Sequence, residues 1–351
     1  MKEGNKRMFS KNKPKIGIDI KKNVIRYCSF KKGQFICGEK IAREDFFKNG
    51  KLKNKEEFRT LLNEIFKETH SISPLVVVPA LNSKLLIKHI PIQEMETEKE
   101  IREFLFFELG ESISLPFDNP LFDLLILDPP KKKKRTSRVK KKESKKNETE
   151  TKLENKPVIK RNRFTVNGKV PVCITPEEVL EQVGNTVQKS GGQLSGVDFS
   201  ALAYTNVLKK EINWRENFAL VEIDSGEATI TIFEKMVPVY VQYEDYNKIN
   251  WRYNEVDGQI VPEYKEESES LSILGDTIRN VVKYFEDEIS SEESIGNIYL
   301  VGGHPRLKQE VLTIIHEKNT ISVHTLTSTL EKIKVPDRFL LAFGLALKEL
   351  S

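Results

Sequence analysis

Short apolar runs separated by tight polar turns open the chain. Residues 15–20 (KIGIDI) and 24–30 (VIRYCSF) are rich in β-branched and aromatic side chains and are separated by three polar residues, which is typical of an antiparallel hairpin. A third run follows the Lys32-Gly33 turn. Residues 56–66 then place apolar side chains at helical spacing, and residues 74–80 (PLVVVPA) form a continuous apolar run typical of a strand buried on both faces. Three strands, a helix and a strand predict half of a mixed α/β layer.

The same order of elements returns in the second part of the chain. Residues 217–243 predict three strands joined by two turns, and residues 272–289 place apolar side chains at helical spacing. A strand (NIYLVGG), a helix (RLKQEVLTIIHE) and a closing helix (DRFLLAFGLALKEL) follow. Each half begins with a hairpin that carries an acidic residue near its first turn, Asp19 in GIDIKKN and Asp224 in EIDSGEA. The pattern predicts an internal duplication of structure with little sequence identity.

A smaller α/β unit is predicted inside the first half. Two predicted strands (LLIKHIPI and LFDLLIL) flank an acidic helix over residues 95–113, and a further strand (KVPVCIT) and a helix follow residues 131–163. We expect LFDLLIL and KVPVCIT to pair. The predicted bounds are 14–80 with 193–215 for the first core, 81–192 for the inserted subdomain, 216–236 with 296–351 for the second core, and 237–295 for a small subdomain of the second half.

Charge is unevenly distributed over the 351 residues. Residues 131–163 hold sixteen Lys or Arg and four Glu, a net charge of +12, so the rest of the chain carries −7 within a total of +5. This basic segment has too few apolar residues to build a core, and we expect a disordered loop. Without interleaved aromatic residues, specific nucleic-acid binding is not predicted. Attraction to an anionic membrane surface and simple solvation both stay open.

The remaining composition indicates a cytoplasmic protein. The longest apolar run, residues 339–347, is too short to span a bilayer, and the basic N-terminus is not followed by the apolar stretch of a secretory signal. Cys28, Cys37 and Cys173 are odd in number and lack metal-binding spacing. We therefore expect reduced thiols and no disulfide framework.

Two facing hairpins of this kind can form a phosphate site. Backbone N–H groups in tight turns bind phosphate oxygens, and glycine lets the backbone approach without a Cβ clash. Asp19 and Asp224 could hold a hydrated Mg²⁺. A third turn (GGHPRL) could let an adenine ring lie on the backbone, with His304 either touching the base or serving as an ordinary turn residue. The three stretches together are far more specific than any one alone.

In these stretches the chain resembles the actin-like ATPase superfamily. The matching stretches are KIGIDI, VEIDSGEATITIF, IYLVGGHPRL and RFLLAFGLAL. Within that superfamily, LLIKHIPI, the acidic helix and ISLPFDNPLFDLLIL resemble the PilM family of type IV pilus assembly proteins, with PFD at residues 116–118. The resemblance covers nearly all of residues 14–350 apart from the basic segment. It implies an α/β actin-like ATPase fold of two duplicated mixed-sheet domains, with the inserted subdomain in the first half.

The resemblance also implies ligands and partners. It implies a scaffold at the inner face of the cell membrane that binds ATP and Mg²⁺ between its halves. It further implies binding to the cytoplasmic N-terminal tail of a PilN-like inner-membrane protein and coupling to the pilus assembly motor ATPase. Asp19 and Asp224 are assigned to the metal. The residues predicted for the nucleotide are Asp19, Lys21, Lys22, Asn23, Asp224, Ser225, Gly226, Thr229, Gly302 and Gly303.

One departure from the family pattern bears on catalysis. Lysine stands at position 21, where the family would place glycine. Lys21 or Lys22 could offer a point charge to the phosphates in place of a glycine amide, or the site could be degenerate and the protein a scaffold only. No residue is recognisable as a dedicated base for activating water. We therefore expect ATP binding with slow or absent hydrolysis.

Two other functions occur on the same fold. A sugar- or acetate-type kinase needs a roomy specificity subdomain, but residues 237–295 are few and contain no Gly-rich substrate loop. An FtsA-like cell-division tether ends in an amphipathic helix behind a linker, whereas here Ser351 directly follows the last predicted core helix. Phe104, Phe106 and Phe107 could line a groove for a partner peptide or pack in the core.

Overall fold

The computed structural model describes residues 13–31, 34–92, 95, 97–125, 168–234, 236–289, 294–327 and 335–348. The basic segment 131–163 lies outside the described residues. The helices are α1 (Lys55–Glu68), α2 (Glu98–Glu108), α3 (Glu177–Lys189), α4 (Ser200–Leu208), α5 (Glu267–Tyr284), α6 (Leu312–Lys318) and α7 (Leu340–Leu347). The strands are β1 (Lys15–Lys21), β2 (Val24–Lys31), β3 (Gln34–Ile41), β4 (Phe47–Lys48), β5 (Lys51–Leu52), β6 (Leu75–Pro79), β7 (Leu86–Pro91), β8 (Pro120–Leu124), β9 (Lys169–Pro176), β10 (Gln193–Asp198), β11 (Asn217–Asp224), β12 (Glu227–Glu234), β13 (Val237–Asp245), β14 (Arg252–Val256), β15 (Gln259–Glu263), β16 (Ile295–Val301) and β17 (Ser322–Thr325).

Two sheets of the same topology form the body of the molecule. The first has the order β10-β6-β1-β2-β3 and the second β13-β12-β11-β16-β17. In each sheet three strands form an antiparallel meander, and two later strands add in parallel beside the first strand. The predicted duplication is therefore present in the strand order, and each meander supplies one of the two predicted hairpins.

Helices α4 and α7 lie between the sheets and fix the first hairpin in place. Both contribute to one apolar core that also includes residues of each sheet, among them Val77 and Phe218. A Cβ added at Gly17 of β1 would lie 2.0 Å from the Ala342 carbonyl oxygen, and one at Gly344 would lie 2.2 Å from the Ala203 carbonyl oxygen. Glycine at these positions lets backbone pack directly on backbone, so β1 is held rigidly against α7.

The inserted unit is a separate small sheet with its own helix. Its strand order is β7-β9-β8, all antiparallel, so the predicted pairing of LFDLLIL with KVPVCIT is confirmed. Helix α2 begins with a capping box formed by Thr97 and Glu100 and buries Ile101 and Leu105 against the sheet. Phe106 and Phe107 remain 72% and 69% exposed, so core packing does not account for them.

Some helices and strands pack in a unit other than the one to which the predicted domain bounds assign them. Helix α3 falls within 81–192, but its Val183 and Val187 pack in the apolar core of the first sheet, beside α1. Strand β13 and helix α5 fall within 237–295, but β13 belongs to the second sheet and α5 packs on it through Leu274 and Ile278. Of the predicted small subdomain, the β14–β15 hairpin stands apart from the second sheet.

The expectation of reduced thiols is wrong for two of the three cysteines. Cys28 and Cys37 form a disulfide, with Cα atoms 4.1 Å apart. The cause is the register of the β2–β3 hairpin, which places the two residues directly opposite each other. Cys173 is free. No helix in the described ranges combines the length and apolar character needed to cross a bilayer.

Candidate functional site

The two predicted hairpins face each other, but their turns differ. In the β11–β12 turn Ser225 and Gly226 both have left-handed backbone, with φ of 56° and 73°, as a two-residue type I′ turn requires. In the β1–β2 turn the residue with left-handed backbone is Lys22, with φ of 53°. Lys21 is the last residue of β1. The turn position that would favour glycine is therefore occupied by Lys22, rather than by Lys21.

Five charged side chains fill the space between the hairpins. Asp19, Glu222 and Asp224 are buried carboxylates, and Lys21 and Arg26 are the cations between them. Lys21 Nζ donates to Glu222 Oε1 at 2.6 Å. Arg26 lies directly opposite Asp19 in the β1–β2 register, and its guanidinium reaches across to pair with Asp224. The cluster thus joins the two halves by ion pairs of the protein's own residues.

Asp224 is held by four donors from the protein. Arg26 Nη1 pairs with its Oδ2, and the Gly303 backbone N–H donates to the same atom at 3.1 Å. The hydroxyls of Tyr253 and Ser225 donate to Oδ1 at 2.7 Å and 2.9 Å. Burial alone would raise the pKa of Asp224, but the charges of Arg26 and Lys21 outweigh it and lower the pKa from 3.8 to about 2.

Asp19 is in the opposite situation. Its carboxylate is buried, and its Oδ1 has no hydrogen-bond partner in the described part of the chain. Lys21 Nζ lies 3.8 Å from Oδ1 and Arg26 Nη1 lies 4.0 Å from Oδ2. Burial raises the pKa of Asp19 from 3.8 to about 6, because the two cations offset only part of the lost hydration and Glu222 and Asp224 repel the charge.

The other predicted residues of the first hairpin also contact protein groups. Lys22 Nζ donates to the Lys248 carbonyl oxygen at 2.6 Å. The Asn23 side chain donates to the carbonyl oxygens of Ala42 and Tyr253 at 3.0 Å and 2.9 Å, and it accepts from the Tyr253 N–H at 3.0 Å. Asn23 therefore ties the first hairpin to β14, which belongs to the second half.

The predicted glycines lie against the protein itself. A Cβ at Gly226 would lie 2.5 Å from the backbone nitrogen of Lys248 and 2.6 Å from Trp251 Cδ1. At Gly302 it would lie 2.3 Å from the Ile223 carbonyl oxygen, and at Gly303 it would lie 2.4 Å from Asp224 Oδ2. Each glycine permits a close approach, as predicted, but the approaching atoms belong to the chain.

Little space remains between the hairpins. The cavity there has a volume of about 110 Å³ and is lined by Lys21, Asn82, Glu222, Thr229 and Tyr243, among others. Pockets for ligands of drug size usually measure about 300–1,000 Å³. Thr229 reaches this cavity from β12, so the predicted residues of both hairpins are brought together, but around a space too small for a nucleoside triphosphate.

The space between the two hairpins does not fit Mg²⁺·ATP. Both oxygens of Asp224 are satisfied, protein atoms lie against Gly226 and Gly302, and the cavity between the hairpins is small. A larger cavity, of about 690 Å³, is lined by Gly303 and His304 together with Arg26 and Tyr253. Within the described ranges no group of three or more His, Cys, Asp or Glu side chains is placed to bind a metal directly. The unpartnered Oδ1 of Asp19 is one feature that would suit a cation ligand. ATP would fit into the space between the hairpins only if the halves separated.

The sequence analysis missed Arg26, Glu222, Trp251 and Tyr253. Arg26 had a readable signal, since a two-residue turn at Lys22-Asn23 pairs Asp19 with Arg26. The β14–β15 hairpin also had one, because Asp257-Gly258 is a typical type I′ turn pair and both residues have left-handed backbone. His304, considered as an adenine contact, is instead buried with Nε2 3.1 Å from Glu267 Oε1.

Similarity to known proteins is found by comparing structures and not by comparing sequences. No protein-family model and no curated protein sequence matches the chain. A chain of a PilM-PilN type IV pilus biogenesis complex is similar with a TM-score of 0.67 and 14% identity, over 95% of this chain and 97% of that one. The cytoplasmic domain of EpsL, an inner-membrane component of the type II secretion system of Vibrio cholerae, has a TM-score of 0.44 and 13% identity over 95% and 94%. MreB 5 of Spiroplasma citri bound to AMPPNP has a TM-score of 0.43 and 10% identity over 95% and 94%.

The fold is the actin-like ATPase fold. Two sheets of identical strand order, with α4 and α7 crossing between them, form the duplicated body, and the three-stranded unit is inserted in the first half. The similarity to the chain of the PilM-PilN complex extends over nearly the whole of both chains. The predicted fold class and the predicted resemblance to PilM are confirmed at the level of the fold.

Proposed function

We propose that the protein is a scaffold of a type IV pilus or related secretion assembly machine, and that it binds the cytoplasmic N-terminal tail of a PilN-like membrane protein. The observation that carries this proposal is the extent of the fold match. The match covers 95% of this chain and 97% of a chain from a PilM-PilN complex. A match of that extent takes in the inserted three-stranded unit as well as the duplicated body.

The groove that best suits an extended peptide lies between the β4–β5 hairpin, the start of α3 and the inserted unit. It has a volume of about 380 Å³. Leu86, Phe117 and Val179 give it an apolar lining, and Lys51 and Lys84 stand at its rim. Apolar pockets with a polar rim are typical of peptide recognition, in which side-chain pockets give specificity.

Phe117 supplies an additional reason to choose this groove. It belongs to the PFD sequence in which the chain resembles the PilM family, and it is half-buried at the groove wall. The exposed pair Phe106 and Phe107 on α2 forms the competing surface, beside Phe122. That second surface also lies within stretches that resemble the PilM family, so the binding experiment has to separate the two surfaces.

Titration of a fluorescent synthetic peptide tests the proposal. The peptide is the cytoplasmic N-terminal segment of the PilN-like protein from the same organism, and anisotropy reports binding. We expect saturable binding that Phe117→Ala weakens at least about tenfold, since truncating an anchor residue costs more than about 1–2 kcal/mol. The matched control, Phe106→Ala with Phe107→Ala, should bind as the unmodified protein does.

Two results would overturn parts of this proposal. Absence of binding by the folded, unmodified protein would remove the PilN-like partner. Loss of binding in the Phe106/Phe107 variant alone would move the site to the face of α2. Circular dichroism of each variant confirms that the fold is retained.

The wider assignment follows from the same proposal. The scaffold lies in the cytoplasm, peripheral to the inner face of the cell membrane, and couples to the pilus assembly motor ATPase. The basic segment 131–163 attaches to anionic lipid, where each basic residue near the surface contributes about 1 kcal/mol. The proposed scaffold role does not depend on binding of ATP and Mg²⁺ between the halves, which stays a prediction.

A further inference from the structure

Residues 246–264, here named the cleft segment, lie where the sequence predicts the nucleotide. The segment contains the β14–β15 hairpin and the strand ends around it. We propose that the cleft segment and Arg26 are a built-in occupant of the cleft, which takes the place of Mg²⁺·ATP and keeps the two halves closed without nucleotide. This inference does not depend on the partner assigned above.

The cleft segment covers the second phosphate turn. The backbone N–H groups of Tyr246 and Asn247 donate to the Gly226 carbonyl oxygen at 3.1 Å and 2.9 Å. The Lys248 backbone and the Trp251 ring stand against the Cα of Gly226, within 2.6 Å of where a Cβ would be. The side of the turn that glycine leaves open for a phosphate is thus closed by protein atoms.

Trp251 occupies the side of the cleft predicted for the base. Its indole is 1% exposed and stacks on Tyr264, with ring centroids 4.3 Å apart and planes inclined by 14°. Its Nε1–H donates to Glu267 Oε1 at 3.0 Å, and its ring centroid lies 5.3 Å from that of His304 in the predicted adenosine turn. Adenine would likewise present a flat bicyclic ring and an N–H donor to this pocket.

Arg26 supplies the positive charge. Two carboxylates that face each other across a cleft repel unless a cation lies near both. The guanidinium pairs with Asp224, lies 4.0 Å from Asp19 Oδ2, and donates through Nη2 to Tyr253 at 2.9 Å. A single arginine thus meets both residues that were predicted to hold Mg²⁺, and the cleft segment holds that arginine in place.

The cleft segment also joins the two halves. Tyr253 exchanges two backbone hydrogen bonds with the Asn23 side chain, and Trp251 and Tyr253 share an apolar cluster with Val24 of the first hairpin. Trp251, Tyr253 and Asn23 are at most 3% exposed. Trp251 and Tyr253 therefore anchor the cleft segment in the folded core, so we assign it a permanent place.

Trp251 provides the measurement that tests this. The chain has two tryptophans, so Trp214→Phe leaves Trp251 as the reporter. In that variant we expect the blue-shifted emission of a buried indole, with no change as Mg²⁺·ATP is raised to millimolar concentration. The melting temperature should also stay constant, because a ligand of the native state would raise it. A saturable change in emission or a concentration-dependent rise in melting temperature overturns the proposal.

Two arginine variants in the same background separate the role of Arg26 from general stability. Arg26→Met should shift Trp251 emission to the red, because the halves lose their ion pair and water enters the cleft. Arg279→Met, at a half-exposed arginine paired with Asp276 far along α5, is the matched control and should leave the emission unchanged. Unchanged emission in a folded Arg26→Met variant would overturn the part assigned to Arg26. If Arg26→Met fails to fold, the titration of Mg²⁺·ATP into the Trp214→Phe variant still tests whether the cleft is occupied.

Discussion

Replacing Asp19 by asparagine should stabilise the protein at neutral pH, although Asp19 lies at the centre of the candidate site. The charge cluster has three carboxylates, Asp19, Glu222 and Asp224, and two cations, Lys21 and Arg26. Lys21 and Arg26 make their direct bonds to Glu222 and Asp224. Asp19 is therefore the excess negative charge, and one of its oxygens lacks a hydrogen-bond partner among the described residues.

The pKa of Asp19 gives the magnitude and the sign. Burial raises this pKa from 3.8 to about 6, so the ionised form is less favourable in the folded state than in the unfolded state. The cost is absent below pH 3.8, grows as the pH rises towards 6, and is complete above that. At about 1.4 kcal/mol per unit, the full cost is about 3 kcal/mol. Asparagine has no charge to bury, so Asp19→Asn should remove this cost.

Thermal and denaturant unfolding from pH 4 to pH 8, in EDTA to exclude bound cations, measures the effect. We expect Asp19→Asn to raise the melting temperature by several degrees above pH 6, because 1 kcal/mol shifts a domain of 150–250 residues by about 2–4 °C. The difference from the unmodified protein should shrink towards zero near pH 4. A destabilised Asp19→Asn variant at pH 7.5 would refute the reasoning, since it would show that the ionised carboxylate is favourably paired.

Asp224→Asn is the matched control with the opposite sign. Charged partners lower the pKa of Asp224 from 3.8 to about 2. Its ionised form therefore stabilises the fold above pH 3.8, and this contribution is lost as the pH falls through 2. Removing the charge also leaves Arg26 buried without its partner, which typically costs about 3–5 kcal/mol. The two variants differ only in which buried aspartate is neutralised, so opposite shifts would locate the excess charge at Asp19.

Much of the fold was readable from the sequence because its strands carry strong signals. Strand β6 is a continuous apolar run and β1 and β2 are separated by a two-residue turn, so the duplicated order of strands could be predicted. The bounds of the small units could not. Val183 and Val187 of α3 are apolar residues at helical spacing whichever sheet they face, and the pattern does not identify the sheet.

The sequence predicted where the candidate site lies, but not which side chains fill it. Asp19 and Asp224 do face each other across the cleft, because two similar hairpins meet there. The contents depend on register, which the turns fix: Lys22-Asn23 sets Arg26 opposite Asp19, and the β2–β3 turn sets Cys28 opposite Cys37. Both pairs could have been derived from the hairpins. The packing of Trp251 against Gly226 could not, since it joins segments without local periodicity.

Two further predictions concern the body of the fold and the segment outside it. Gly17→Ala should destabilise the protein by more than the roughly 1–3 kcal/mol that overpacking a core usually costs, because the new Cβ would lie 2.0 Å from the Ala342 carbonyl oxygen. The control is Gly184→Ala, whose Cβ would meet only the Leu194 side chain, at 3.1 Å, and which should melt within a few degrees of the unmodified protein. Equal melting temperatures for the two variants would contradict the close contact of β1 with α7. Deleting residues 131–163 should leave the fold intact, because β8 and β9 are antiparallel neighbours and a short hairpin can join them, while loop closure entropy changes only with the logarithm of loop length. At low salt the full chain should sediment with vesicles that contain an anionic lipid, and the deletion variant should not. High salt should release the full chain, because salt screens the attraction between a segment of net charge +12 and the lipid surface within a Debye length. Vesicles of neutral lipid are the control and should retain neither protein. Equal sedimentation of the full chain and the deletion variant on anionic vesicles would show that the basic segment does not attach the protein to lipid, and a deletion variant that fails to fold would place the segment in the core structure.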